Sequence, residues 1–108
     1  MISPHLPPAE AMPLEPLITP TAHGIASRIL AQAPGGSATL FAFDAGQGLT
    51  EHTSPFEALV IVLAGALTLT IGGVPVSAVP GTVVRMPAGV AHALEADDAA
   101  KMLLVMLR

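Results

Sequence analysis

The chain has 108 residues, of which 52% are apolar and 11% charged, and its formal net charge is −4. That length makes one domain, and the four basic residues, Arg28, Arg85, Lys101 and Arg108, are scattered, which excludes the clustered cations a nucleic-acid binder needs. Cysteine is absent, so disulfides, thiolate metal ligands and cysteine nucleophiles are excluded together.

The first 20 residues carry six of the 11 prolines. Proline fixes φ and donates no hydrogen bond, so residues 1–24 are expected to form an extended arm, ordered only where it lies on another surface. The start, MISPHLPPAEAMPLEP, lacks the basic residues and continuous apolar core of a secretory signal. The longest apolar run, residues 58–67, is too short to span a bilayer. The expectation is a cytoplasmic protein with no membrane partner.

A single domain is expected over 25–108. Residues 24–33 fit either a helical turn or a strand. Residues 38–43 (ATLFAF) and 59–64 read as short apolar strands. Residues 66–71 (ALTLTI) alternate strictly, with Leu67, Leu69 and Ile71 on one face and Thr68 and Thr70 on the other. Gly72-Gly73 suits a tight hairpin, and 74–79 returns as an edge strand because Pro75 lacks an N–H. Residues 82–86, 92–94 and 102–107 complete the strands, separated by turns at Pro80-Gly81, Pro87-Ala88-Gly89 and 95–98. Many short strands with close turns predict an all-β barrel or jelly roll.

Two segments, 46–65 and 81–96, each place a histidine beside a strand after a glycine-rich turn. Their registers resemble the two motifs of the cupin superfamily, in its small, RmlC-like, conserved-barrel form. Gly46, His52 and Gly65 match the first motif, and Gly81, Pro87, Gly89 and His92 match the second, with Ala96 where the family has asparagine. The resemblance spans roughly residues 38–107. It implies a small cupin β-barrel, or double-stranded jelly roll, preceded by the arm. In cupins with a full site, two histidines and a glutamate of the first motif and the histidine of the second hold a divalent metal. Carried over, those positions are His52, Ser54, Ala58 or Leu59, and His92, of which only His52 and His92 ligate well. Glu57 is an odd number of residues from His52, so strand alternation turns it away.

The expected site is therefore a pocket between His52 and His92, with Ser54 as a small polar liner. Any divalent transition metal there is weakly held by His52 and His92, or absent. Met86, Met102 and Met106 read first as core filler rather than copper ligands, with Met86 carried as a pocket-liner. His5 and His23 lie in or near the arm, where one could fold over the barrel mouth. Arg85 reads as a surface ion-pair partner. Ser54 lacks the context of a catalytic serine. Two functions follow: a protein binding a small, fairly apolar molecule through His52, Ser54 and His92, or a metal-dependent oxygenase, isomerase or lyase needing a further ligand. An inert relic of such a site is the third reading. The C-terminal KMLLVMLR is apolar on both strand faces, which predicts a homodimer in which a partner covers the second face and the arm contributes.

Overall fold

The computed structural model describes residues 5–108. Among the described residues nine strands run in chain order: β1 (Ile25–Ala33), β2 (Gly36–Phe43), β3 (Gly48–His52), β4 (Glu57–Ala64), β5 (Leu67–Ile71), β6 (Val74–Ala78), β7 (Val83–Met86), β8 (His92–Glu95) and β9 (Ala100–Leu107). They form two antiparallel sheets, β1-β2-β9-β4-β7 and β3-β8-β5-β6. The all-β jelly-roll expectation holds.

The alternation in the sequence becomes the core. Leu67 and Leu69 of β5 are buried while Thr68 and Thr70 are half-buried on the opposite face. They pack with Phe43, Val60, Val62, Leu94 and Met102 between the sheets. Gly72 and Gly73 take φ of 57° and 81°, the positive values a two-residue hairpin turn demands. Pro75 sits in β6, at the edge of the smaller sheet, where its missing N–H leaves no ladder bond unmade.

The ambiguous stretch 24–33 is strand β1, paired along β2 with a register shift between Ile29 and Ala31. Segment 48–52 was not expected as a strand, yet it forms β3, an edge strand paired with β8.

The arm behaves differently from a segment awaiting a partner. Its described part folds back over the outer face of the five-stranded sheet of its own chain. Ile18, Leu6 and Leu17 join Leu30, Leu40, Ala42, Leu63 and Leu103 in a second apolar cluster. The Leu6 N–H donates to the Leu30 carbonyl at 2.8 Å. A short 3-10 turn, Glu15–Leu17, is fastened by Arg28, which donates to the Leu17 carbonyl at 3.1 Å, and by Lys101, which donates to the Glu15 carbonyl at 3.1 Å. The outer face of β2 and β9 needs cover, and a tethered segment supplies it without the translational entropy a second molecule would lose. Residues 1–4 of the expected arm lie outside the described residues.

That packing explains the two-faced C-terminal strand. β9 is the middle strand of its sheet, with Met102, Leu104 and Met106 toward the inter-sheet core and Leu103 against the arm cluster. Among the described residues no helix is long and apolar enough to cross a membrane.

Candidate functional site

His92 begins β8 and is 5% exposed. It pairs with Ile71 of β5 on one side and His52 of β3 on the other. His52 lies three residues after Leu49, so regular alternation would send it to the face opposite Leu49. The β3–β8 ladder prevents this: Leu49 is opposite Leu94, but His52 is opposite His92, so one residue is extra on β3. This bulge at Thr50-Glu51 restores His52 to the inner face, a common use of bulges beside functional residues. The carbonyl of Thr50 then meets His52 Nδ1 at 2.7 Å, inside the bulge.

The two imidazoles meet edge to face, with centroids 4.3 Å apart and planes at 70°. Their Nε2 atoms stand 3.1 Å apart. His92 Nδ1 lies 3.1 Å from the Val90 carbonyl. His92 forms the floor of the contact, while His52 is exposed at the rim. Beside them is a cavity of about 60 Å3 lined by His52, Ser54, Ala58, Met86, His92, Leu104 and Met106. Ala58 is opposite Met86 on one neighbouring strand and Met106 on the other, so the two methionines flank it on the inner face.

Ser54 lies beyond the end of β3, in the loop to β4. Its Oγ accepts the Phe56 N–H at 3.2 Å, which leaves its own hydroxyl proton free to donate. Its carbonyl accepts the Gly89 N–H at 2.8 Å, pinning the turn before His92. Glu57 faces outward. Its carboxylate accepts from Arg85 Nε at 2.6 Å and from the Ala88 N–H at 2.5 Å. The Ala88 amide first, and Arg85 second, hold the Glu57 carboxyl below its ordinary value. Sequence reasoning placed Glu57 outside but missed this clamp on the Pro87–Gly89 turn. His5 and His23 are exposed and do not line the cavity. Met102 is buried in the inter-sheet core and does not line it either. Ala96, at the second motif's asparagine position, is buried, and its N–H and carbonyl tie β8 to the loop before β3.

Two facing sheets with paired histidines at these motif positions point to one family, and the family comparison decides it: the cupin domain profile matches residues 39–107. The chain is a cupin. A conserved protein of unknown function from Streptococcus pyogenes is similar to it at 33% identity, with a TM-score of 0.90 over 96% of this chain and 91% of that one. A cupin superfamily protein from Desulfitobacterium hafniense is 29% identical, with a TM-score of 0.89 over 95% and 94%. A cupin conserved-barrel protein from Leptotrichia buccalis is 31% identical, with a TM-score of 0.85 over 88% of this chain and 46% of that one. No curated protein matches the chain.

The divalent metal that full cupin sites hold does not fit this cupin's residues. Ser54 and Ala58 stand at two of the four ligand positions, and Leu59, the neighbouring candidate, turns outward beside Arg85. Among the described residues no group of three or more His, Cys, Asp or Glu side chains converges on one point. A carboxylate supplies charge that two neutral imidazoles and a hydroxyl do not.

Proposed function

We propose that this cupin is a binding protein for a small, mostly apolar molecule, held through His52, Ser54 and His92. The observation that carries the reading is the cavity itself: two imidazoles and a free hydroxyl donor on one side, Ala58, Met86, Leu104 and Met106 on the other. Apolar walls with a few convergent polar groups are what small-ligand sites share. At about 60 Å3 the cavity takes a group of a few heavy atoms. A larger ligand would seat one end there and leave the rest at the rim beside His52. The alternative, a metal-dependent oxygenase, isomerase or lyase, needs a further ligand, from a side chain or from bound water and substrate. His5, His23 and Glu57, the sequence candidates, do not line the cavity.

The test is a panel of small organic molecules added to metal-free protein, followed by NMR of the histidine rings and methionine methyls. Binding at the site shifts His52, His92, Met86 and Met106 together, and His52→Ala weakens it. Hits that leave those signals unmoved, or that bind His52→Ala equally well, would overturn the reading.

A further inference from the structure

Three short contacts surround the two imidazoles. His52 Nδ1 lies 2.7 Å from the Thr50 carbonyl, His92 Nδ1 lies 3.1 Å from the Val90 carbonyl, and the two Nε2 atoms are 3.1 Å apart. A carbonyl accepts and never donates, and two ring nitrogens need one hydrogen between them. Each contact therefore uses one ring hydrogen, whichever way the Nε2–Nε2 bond runs. Two neutral imidazoles carry two hydrogens. All three contacts are satisfied together only when the pair holds a third, and the pair then bears one positive charge.

That charge sits between a buried ring and apolar walls, where it needs a counter-charge. Among the described residues no carboxylate lines the cavity. Glu51, beside His52 on β3, and Glu95, at the end of β8, are exposed and absent from its wall. Glu57 of β4 is held outside by Arg85 of β7 and the Ala88 amide. Lys101 of β9 pairs with Glu15, and Arg108 lies over the Phe56 ring. β5 has no ionisable side chain. We infer that the counter-charge arrives with the ligand: the cavity takes a small monocarboxylate with an apolar tail, bound together with one proton. This rests on the binding reading above and names the class of ligand.

The rest of the lining fits that class. Ser54 has a hydroxyl proton to give, because its Oγ already accepts from the Phe56 amide. The carboxylate accepts from Ser54 and from the protonated pair at the rim, where His52 is exposed, and such charge-assisted bonds are the strong ones. Ala58, Met86, Leu104 and Met106 offer the tail an apolar surface, which a phosphate or sulfate has no group to fill. An anion and a proton enter together, so the filled cavity is neutral overall. An organic cation is repelled by the pair, and an amide or alcohol brings no charge to offset the third proton.

The test is titration calorimetry of the full chain with butyrate and benzoate, each against its neutral amide, butyramide and benzamide. At about pH 6.5 each carboxylate is expected to bind at least about tenfold tighter than its amide. Titrations at about pH 8 in two buffers of different ionisation enthalpy should show a proton taken up with the carboxylate, and affinity should fall towards about tenfold per pH unit above that. His52→Ala, altered at the rim, should abolish both the proton uptake and the preference for the acid. Ser54→Ala should weaken carboxylate binding and leave the proton uptake in place. Amides that bind as tightly as the acids, carboxylates that bind without proton uptake, or a preference retained in His52→Ala would overturn the inference. So would failure of both acids to bind. Neutral molecules that still move the His52, His92 and methionine signals would then leave the binding reading standing; if none does, both fall.

Discussion

Two histidines in contact have unequal duties. His92 is buried among strand residues, with both ring nitrogens engaged, so removing it leaves a hole and an orphaned carbonyl. His92→Ala is expected to cost about 1–3 kcal/mol, whereas His52→Ala at the exposed rim should stay within about 0.5 kcal/mol. Urea unfolding of the two variants checks the contrast. Glu57 carries a pH signature. Its folded-state carboxyl lies below the ordinary value of 4.5, so its contribution is present above that value and is lost as pH falls through the lower folded one. Asp44 behaves in the same sense, held down first by the His23 amide and then by that of Ala45. Glu57→Gln should flatten part of the acid limb of stability against pH, read by thermal melts from pH 6 to about pH 3, and leave the part due to Asp44. The outward direction of Glu57 was legible from strand parity. Its partners were not, because Arg85 and Ala88 are 28 and 31 residues away and nothing local marks them.

At the scale of strands, what the sequence revealed followed burial. β5 and β4 have one or both faces packed, so hydrophobic pattern and position agreed. β3 escaped notice for the opposite reason. GLTEH is short, mostly exposed and at a sheet edge, so little apolar patterning is required of it. Its bulge also breaks the period of two that a reader looks for, and the same bulge is what brings His52 to His92. The motif register recovered the histidine pair where periodicity could not. The turn glycines were more transparent. Gly65 has φ of 66°, and a Cβ there would collide with the Ala99 carbonyl, a backbone atom that cannot swing aside. Gly65→Ala is therefore expected to cost at least about 1–3 kcal/mol, measurable as a lowered midpoint in chemical denaturation. It would also loosen the junction between β4 and β9.

For the whole molecule, the arm is the largest revision to expectation. Its proline content goes with a course that forms no strand before Ile25 among the described residues. What it could not reveal was the surface beneath, because Leu40, Ala42 and Leu103 come from strands far apart in sequence. Deleting residues 1–20 should uncover that cluster and remove buried Ile18, costing about 2–5 kcal/mol by the area lost, as read from urea unfolding of the truncated protein. The rest of that sheet's outer face stays open. Val83 is 60% exposed and Leu107 50%, with half-buried Leu59, Ile61 and Val105 between them. A second copy of the chain is the proposed cover, and sedimentation should show a dimer at about ten micromolar; a monomer there would rule this interface out.

The position of β9 sets the order in which the chain can assemble. The strand latest in sequence lies in the middle of the larger sheet, between β2 and β4. Until it inserts, the β1-β2 hairpin and the β4-β7 pair are separate ribbons, each with a bare hydrogen-bonding edge. β9 joins them across long sequence separations, so the closing step is late, cooperative and slow compared with hairpin formation. A ribosome-bound chain lacking β9 would hold both open edges at once, the condition under which strands recruit wrong partners. The centre of the finished sheet is thus the nascent chain's point of greatest exposure.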